Sequence, residues 1–367
     1  MTILLAPDKF KGSLSVAQVC QALAEGIGRC YLDADIIQCP LADGGDGSLD
    51  VLAQYLDLDT VNVLVADPLG RPLQANYRRA GTTAYVELAA ASGLVLLGAQ
   101  ERSAMDTSTL GTGQLIAHAL DHGVKEVYLF IGGSATNDGG MGIAQALGYR
   151  FLDNKGQPLA PIGRNLSAVA GIDRSRIHPR LQEVYIKVVG DVDNPFYGPR
   201  GAAYVYAPQK GATAAEVSLL DQGLQHFAEQ LMANGYPDIR TLAGAGAAGG
   251  VGGGTVALLS AELVSGTQTF MELSQLTRHI QAADLVITGE GKLDAQTQQG
   301  KLISGVCALA REHRKPVIGV CGAAEAGVAE ALGLAAIFTI LERSSSVEEA
   351  MNMAYPKLVE IGQSIKW

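Results

Sequence analysis

The sequence predicts an α/β protein in which a second α/β domain is inserted into a domain built on a parallel, doubly wound sheet. Apolar strands alternate with amphipathic helices at both ends of the chain. These strands are apolar throughout, as expected when helices cover both faces of a parallel sheet. The chain has 367 residues, of which 48% are hydrophobic and 17% charged, so it is large and apolar enough for two or three well-buried domains.

The N-terminal segment predicts two strand–loop–helix units. Residues 2–6 form a short apolar strand, and residues 15–29 have the apolar spacing of a helix that begins with a Ser-x-x-Gln capping box. Residues 35–42 predict a second strand, which the loop DGGDG joins to a helix over 48–56. These segments supply two strands of the parallel sheet.

The C-terminal segment repeats this pattern, whereas the middle of the chain differs from both ends. Strands are predicted at 283–291, 316–322 and 335–341, with a helix over 301–313. The middle instead contains amphipathic strands around a turn, in DPLGRPLQANYRRAGTTAYVEL, and several glycine-rich loops. The middle therefore belongs to a different domain from the two ends.

The predicted domains are a discontinuous one, 1–65 plus 282–367, and an inserted α/β domain, 66–281. Two consecutive domains divided near residue 200 are the alternative. That division is less favourable, because the N-terminal and C-terminal pieces would each be thin alone.

Charge and composition argue against several classes of protein. A net charge of −10 argues against nucleic-acid binding, which depends on Lys and Arg. No apolar window reaches membrane-spanning length and the N-terminus has no secretory basic region, so we expect a cytoplasmic protein with no membrane contact. The five widely spaced cysteines stand in apolar surroundings; we expect buried thiols, with a catalytic thiol as the alternative.

Residues 244–249 read GAGAAG and match the dinucleotide-binding fingerprint, but their context argues against NAD. No apolar strand precedes the glycines, and no strand ending in an acid follows at the required distance. Because the fingerprint itself matches, a nicotinamide-dependent dehydrogenase is kept as the competing enzyme class. The glycines require close approach to the backbone by either a ligand or the neighbouring domain.

Ligands of open α/β sheets bind at the carboxyl ends of the strands, and this rule selects loops rich in charge and glycine. In the discontinuous domain the selected residues are Asp8, Lys9, Lys11, Asp43, Gly44, Gly45, Gly289, Glu290, Lys292 and Asp294. Any one loop is more simply an Asp or Asn turn. Several of them at one sheet edge favour a ligand site.

The inserted domain offers a glycine-rich loop, 132–140, between a strand and a helix, and its N–H groups suit an anion. The predicted contacts in this loop are Gly132, Gly133, Ser134, Thr136, Asn137 and Asp138. A further strand ends at Asp191 and Asn194. We expect the loops of the two domains to face each other across an interdomain cleft.

Eight blocks of the chain, in order, resemble the type I glycerate kinases, a bacterial family that phosphorylates D-glycerate with ATP. The blocks are APDKFKGSLS, PLADGGDGS, ELAAASGL, IGGSATNDGGMG, GDVDNPFYGPRGA, APQKGA, GAGAAGGVGGG and TGEGKLDAQTQQGK. The resemblance covers nearly the whole chain. It implies a discontinuous flavodoxin-like or Rossmann-like domain, a second α/β domain, and glycerate 2-kinase activity giving 2-phosphoglycerate.

Phosphoryl transfer needs a positioned acceptor, neutralised phosphates and a group that takes the hydroxyl proton. We assign Asp191 as the candidate base and Asp43 as its rival; an Asx-turn with Asp193 is the purely structural alternative for Asp191. Lys11 and Lys210 are expected to hold the glycerate carboxylate or the transferring phosphoryl group.

ATP and Mg²⁺ are the expected cofactors, with Glu290 and Asp294, joined by Asp8, as candidate metal ligands. Further substrate or nucleotide contacts are expected at Ser92, Asn194, Lys292 and Lys301. Two positions depart from the family pattern: Lys9 replaces a small polar residue, and Lys292 replaces an Arg, without the bidentate geometry of Arg.

Three alternatives for the function stay open. They are phosphorylation of the 3-hydroxyl, phosphorylation of another small hydroxy acid, and a non-catalytic sensor of small acids. The sequence makes no prediction of the oligomeric state.

Overall fold

The computed structural model describes residues 1–45, 47–294 and 302–366. The strands of the described chain are β1 (Thr2–Leu5), β2 (Asp35–Gln38), β3 (Asp59–Ala66), β4 (Pro72–Ala80), β5 (Thr83–Glu87), β6 (Glu126–Phe130), β7 (Arg150–Leu152), β8 (Gly171–Asp173), β9 (Tyr185–Val189), β10 (Glu262–Val264), β11 (Leu285–Thr288), β12 (Lys292–Leu293), β13 (Val317–Cys321), β14 (Ala323–Ala324) and β15 (Ala336–Thr339). The α-helices are α1 (Val16–Cys30), α2 (Ser48–Leu52), α3 (Ala89–Ser92), α4 (Leu110–Asp121), α5 (Met141–Ala146), α6 (Ala202–Tyr206), α7 (Ala214–Ala233), α8 (Ala247–Leu259), α9 (Gly266–Leu273), α10 (Leu276–Ala282), α11 (Leu302–Glu312), α12 (Val328–Leu332), α13 (Val347–Asn352) and α14 (Ala354–Ser364).

The chain divides into two compact units. The first unit comprises Met1–Asp43, Asp50–Tyr55 and Gly266–Trp367, and the second comprises Gly44–Leu49 and Leu56–Ser265. The domain boundaries expected near 65 and 282 stay predictions, because compactness does not show that either unit folds by itself.

The first unit is built on a five-stranded sheet with the order β15-β13-β11-β1-β2, and every pairing in it is parallel. Counted along the unit, this is the 2-1-3-4-5 order of flavodoxin-like proteins. The predicted parallel α/β fold is therefore confirmed. β11 and β13 are buried along their whole length, as expected for a sheet that is covered on both faces.

The central strand of this sheet joins distant parts of the chain. β1 pairs with β2 on one side and with β11 on the other, with Ile3 opposite Leu285. The Thr2 backbone N–H also donates to Asp284 Oδ2 at 2.8 Å, between residues 282 positions apart. Residues near the two ends of the chain therefore form one sheet.

Helix α1 begins and packs as its sequence predicts. The Gln18 N–H donates to Ser15 Oγ at 3.3 Å and the Ser15 N–H donates to Gln18 Oε1 at 2.9 Å, which completes the capping box. On the packed face, Gly26 lies against Gly362 of α14, and a Cβ at Gly26 would overlap the Val359 carbonyl oxygen. The two helices approach this closely because neither has a side chain at the crossing.

The second unit is built on a mixed six-stranded sheet with the order β10-β9-β6-β5-β4-β3. β3, β4 and β5 pair antiparallel, as the amphipathic segment around its turn predicts, and β5, β6, β9 and β10 pair parallel. A separate apolar core lies in this unit and includes Tyr77, Leu129 and Phe227, all fully buried.

The cysteines partly follow the prediction. Cys20, Cys39, Cys307 and Cys321 are buried, and burial raises the pKa of each thiol, to about 11 for Cys307 and about 12 for Cys321. The prediction was wrong for Cys30, which lies exposed at the last residue of α1. Raised thiol pKa values argue against a catalytic thiol among the four buried residues.

None of the described helices combines the length and the apolar character that a bilayer crossing requires.

Candidate active site

A cavity of about 420 Å³ lies at the carboxyl ends of the strands of the first unit. β1 and β11 continue side by side beyond their last strand residues, since the Asp8 N–H donates to the Gly289 carbonyl at 2.8 Å. Asp8 and Glu290 consequently stand next to each other and both line the cavity. We call this cavity the strand-end pocket; its charged lining residues are Asp8, Lys9, Lys11, Asp43, Glu290 and Lys292.

Asp8 is the most perturbed group of the strand-end pocket. Burial, the largest cause, and the neighbouring Asp43 carboxylate raise the pKa of Asp8 from 3.8 to about 7, and Glu290 adds to the effect. The Lys9 N–H, which donates to Asp8 Oδ1 at 2.6 Å, and the Lys9 charge act in the opposite direction. Three predicted acids thus come together, as the strand-end rule predicted.

Gly289 is required by the sheet itself. A Cβ at this position would overlap the Val320 carbonyl oxygen of β13. The glycine lets the chain turn into the pocket beside a neighbouring strand, whether or not its N–H also contacts a ligand.

Lys292 is exposed and is surrounded by acids. Its Nζ lies 2.8 Å from Glu325 Oε1 and 3.4 Å from Asp294 Oδ2. The hydrogen bond to Glu325, ahead of the charge of that residue and of Asp294, raises the pKa of Lys292. Asp294 therefore forms an ion pair with Lys292. Lys301, which was also predicted to contact a substrate or nucleotide, lies outside the described residues.

The acids of the strand-end pocket suit a metal that is shared with a ligand. No three His, Cys, Asp or Glu side chains of the described chain form a group that could hold a metal ion by themselves. Mg²⁺, however, usually takes one or two carboxylates together with substrate phosphates. Asp8, Asp43 and Glu290 supply oxygen donors of this kind.

In the second unit the glycine-rich loop 132–140, called the glycine loop below, turns its polar side chains inward. The carboxylate of Asp138 is fully buried. Its Oδ2 accepts from the Thr109 N–H at 2.8 Å and the Thr109 hydroxyl at 2.7 Å, and its Oδ1 accepts from the Gly140 N–H at 3.1 Å. The Gly142 N–H donates to Oδ2 as well. Asp138 therefore accepts hydrogen bonds from residues of its own unit. Burial raises the pKa of Asp138, although these hydrogen bonds act in the opposite direction.

Lys210 lies beneath the glycine loop and is only 2% exposed. Its Nζ donates to Ser134 Oγ and to the Thr136 carbonyl, both at 2.7 Å. Burial lowers the pKa of Lys210 from 10.5 to about 7, although the nearby Asp138 carboxylate raises it. The structure thus places this ammonium in support of the loop, and direct contact with a substrate anion stays a prediction.

Asn137 has an unusual environment within the glycine loop. Its Oδ1 and Nδ2 are buried, and no described residue lies within hydrogen-bond reach of either atom; the same holds for Thr136 Oγ1. Leaving such groups unpaired costs about 1–3 kcal/mol each. Buried groups of this kind usually have a partner such as an ordered water, an ion or a ligand.

The glycine-rich segment 244–254 packs against the glycine loop. Ala248, Gly249 and Gly250 have φ values of 53°, 71° and 91°, so the backbone is kinked near the start of α8. A Cβ at Gly249 would overlap the Thr136 carbonyl oxygen, and the Gly139 N–H donates to the Gly249 carbonyl at 3.0 Å. The close approach comes from the same unit. No strand precedes the segment in the fully described range 234–246, which agrees with the argument against NAD.

Asp191 follows β9 and is half-buried. Its Oδ1 accepts from the Ser265 hydroxyl at 2.8 Å. Sequence reasoning missed Ser265, which follows β10 on the neighbouring strand of the same sheet.

Other predicted contact residues are engaged within the second unit. The Asn194 Nδ2 donates to the Arg200 carbonyl at 2.8 Å, and Tyr206 Oη donates to Asn194 Oδ1 at 2.6 Å. Ser92 is buried, with its Oγ 2.8 Å from Thr112 Oγ1.

Glycines also hold the DGG turn against the glycine loop. A Cβ at Gly132 would lie 2.5 Å from Gly45 Cα, and Gly44 has φ of 85° beside Val189. These glycines are required by packing within the second unit.

The apolar lining of the strand-end pocket was also missed. It consists of Phe10, Ala323, Ile340, Leu341, Val347, Ala350, Met351 and Ala354. Ile340 and Leu341 follow β15, which ends at Thr339, whereas the sequence predicted a strand that runs to residue 341, so the strand-end rule did not select them. The contribution of α13 had no comparable signal, since that helix does not directly follow a strand.

Comparisons with known proteins agree with the motifs. A family model described as the glycerate kinase family matches residues 3–366. The chain is 41% identical to a glycerate kinase of Halalkalibacterium halodurans, over 99% of this chain and 97% of that protein. It is 39% identical to the glycerate 2-kinase of Escherichia coli K12, over 100% of this chain and 97% of that protein.

A solved structure gives the same result for the fold. The crystal structure of a protein described as glycerate kinase 2 from Salmonella typhimurium LT2 superposes with a TM-score of 0.84 at 40% identity, covering 99% of this chain and 96% of that one. Full-length similarity of this degree, in sequence and in structure, shows that the chain belongs to the glycerate kinase family.

Proposed function

We propose that this protein transfers the terminal phosphoryl group of ATP to the 2-hydroxyl of D-glycerate, giving 2-phosphoglycerate. The observation that carries the proposal is the grouping of Asp8, Asp43 and Glu290 at the carboxyl ends of a 2-1-3-4-5 sheet, in a chain whose relatives are named glycerate kinase and glycerate 2-kinase. Carboxylates at such an edge suit a nucleotide that carries a divalent cation.

Magnesium, when bound, would neutralise phosphate charge, and one or two of Asp8, Asp43 and Glu290 would hold it together with phosphate oxygens. Asp8 must lose its proton to act as a ligand. The pKa of Asp8 is raised to about 7, and the positive charge of a bound metal would favour the ionised form of this carboxyl.

Asp191 is our candidate for the group that accepts the proton of the substrate hydroxyl. The bond from Ser265 fixes one carboxylate oxygen at 2.8 Å, and an oriented carboxylate is the usual proton acceptor in kinases. Asp43 stays the rival candidate. The neighbouring Asp193 is exposed and provides a matched control.

The glycine loop is proposed to contact the anionic substrate, with Lys210 acting through the loop. The amide of Asn137 lacks a described partner but is fully buried, so its contact with the substrate stays a prediction. Lys11, which is exposed and lines the strand-end pocket, is the better placed of the two predicted lysines for direct contact with an anion.

The activity is tested by incubating the purified protein with D-glycerate and Mg-ATP and coupling the product to enolase, with and without phosphoglycerate mutase. Signal from enolase alone supports the 2-hydroxyl. A signal that requires the mutase indicates 3-phosphoglycerate and overturns the proposed position. Folded protein that consumes no ATP overturns kinase activity, and glycerate binding without turnover would then indicate a sensor.

The base assignment is tested by comparing Asp191→Asn with Asp193→Asn and Asp43→Asn. We expect Asp191→Asn to lower kcat by about 10²–10⁴-fold with little change in KM for ATP, and Asp193→Asn to retain activity. A large loss of kcat in Asp43→Asn, with Asp191→Asn active, would transfer the role to Asp43.

A further inference from the structure

The strand-end pocket has two chemically different parts. Its charged residues follow β1, β2 and β11, whereas most of its apolar residues come from the C-terminal segment 340–354. Three of the latter are partly open to solvent: Leu341 is 36% exposed, Val347 63% and Met351 45%. Exposed aliphatic side chains beside a cavity are typical of a ligand-binding surface.

The sheet topology indicates which part of a ligand would contact the charged residues of the pocket and which part would contact its apolar residues. In a 2-1-3-4-5 sheet, ligands bind where the strand order reverses, which here lies between β1 and β11. Asp8 and Glu290 follow these two strands, so they mark the position of the charged group of a ligand. The apolar segment 340–354 is then left for a larger, uncharged part of the same molecule.

Polar groups of the apolar lining are already engaged. The N–H groups of Ile340, Leu341 and Ala323 donate to the Cys321, Gly322 and Gly291 carbonyls at 2.9, 3.0 and 3.2 Å. The Ser13 hydroxyl donates to the Met351 carbonyl at 2.7 Å. Recognition by this lining therefore rests mainly on apolar contact.

We infer that the strand-end pocket is the nucleotide subsite, with the purine base of ATP packed against Leu341, Val347 and Met351 and its phosphates toward the acids and their cation. The cavity of about 420 Å³ lies within the range of small-molecule sites. This inference rests on the proposed function for the identity of the nucleotide. It adds which unit binds the base and how the base is recognised.

The test compares Met351→Asp with Met353→Asp. Met351 lines the pocket, whereas Met353 is two residues further on, is 47% exposed and is absent from the lining. Both variants add one negative charge near the end of α13, at side chains of similar exposure. Equal thermal unfolding midpoints would show that any effect on folding is matched.

We expect Met351→Asp to raise KM for ATP about tenfold or more, through lost contact and repulsion of the phosphates, and to leave KM for D-glycerate within about twofold. Met353→Asp should change neither constant. Equal effects of the two variants, or a rise confined to KM for D-glycerate, would overturn the nucleotide subsite. If Met351→Asp unfolds, Val347→Asp replaces it with the same expectations.

Calorimetry with Mg-ADP separates this inference from the proposed activity. Wild-type protein that binds Mg-ADP, with affinity lost in Met351→Asp and kept in Met353→Asp, supports the subsite even if D-glycerate is not phosphorylated. Turnover of D-glycerate with equal Mg-ADP affinity in all three proteins overturns the subsite and leaves the kinase assignment intact.

Base recognition has its own readout. An apolar pocket discriminates related ligands only modestly, so kcat/KM for GTP should lie within about 100-fold of the value for ATP. A larger difference would show hydrogen-bonded recognition of the base and contradict the apolar contact.

Discussion

The strand-end pocket of the first unit and the glycine loop of the second were selected by the same strand-end rule but differ in structure. Both follow parallel strands and both combine glycines with at least one acid. In the pocket, Asp8 and Glu290 line a cavity. In the second unit, Asp138 of the glycine loop and Lys210 beneath the loop are buried and bonded within their own unit. Position at a strand end therefore selects residues near a site, but it does not determine whether a side chain faces a ligand or the core.

The largest expected effect on stability concerns Asp138, which is bonded within the glycine loop, in contrast to Asp8 of the strand-end pocket. Asp138→Ala removes the acceptor of four donors on three residues, Thr109, Gly140 and Gly142, so we expect a loss of about 3–5 kcal/mol in the free energy of unfolding. Urea unfolding measures it. A loss below about 1 kcal/mol would show that Asp138 is not a structural centre of the glycine loop and would remove the contrast with Asp8.

A second prediction concerns the glycine segment behind the loop. Gly249→Ala places a Cβ against the Thr136 carbonyl at a φ of 71° and should cost about 3 kcal/mol or more. Gly198→Ala is the control, because Gly198 has φ of 95° with no atom within 4 Å of an added Cβ, and it should cost about 1 kcal/mol. Equal costs would mean that only backbone conformation matters and that the packing on the glycine loop does not.

Lys210 should give the loop a characteristic pH dependence. Its pKa is lowered to about 7 from 10.5, so between these values the unfolded chain binds a proton that the folded protein does not. Stability conferred through Lys210 should therefore rise from pH 7 toward 10.5, by at least about 2 kcal/mol. Lys210→Met should lose this rise, whereas Lys155→Met, at an exposed position of the same unit, should keep it. Parallel profiles for the two variants would contradict the lowered pKa of Lys210.

Asp8 should show the opposite slope and the smallest effect. Its pKa is raised from 3.8 to about 7, so in this range the folded protein binds the extra proton and stability falls as pH rises. Asp8→Asn should remove the decline and gain about 2 kcal/mol relative to wild type between pH 5 and 8. Asp33→Asn, at an exposed position of the same unit, should show no such gain. If it gains as much as Asp8→Asn, the effect arises from net charge.

The comparison also shows which features of the fold and of the candidate site could be predicted from the sequence. Apolar strands and the capping box at Ser15 follow local rules, so the elements and the parallel sheet were predictable. Asp8 and Glu290 were predictable because strand ends share an edge. The burial of Lys210 was not predictable because its partners, Ser134 and Thr136, lie 76 and 74 residues away. The apolar lining of α13 was missed because this helix does not directly follow a strand end.

The pairing of Thr2 with Asp284 has a consequence for synthesis on the ribosome. β1 cannot gain its second neighbour until a segment 282 residues later has emerged, which takes roughly half a minute at about 10 residues per second. The second unit, Gly44–Leu49 and Leu56–Ser265, is translated in that interval. The apolar edge of β1 therefore stays unpaired while the intervening unit is synthesised. This incomplete sheet is the stage of synthesis at which a chaperone would be most needed.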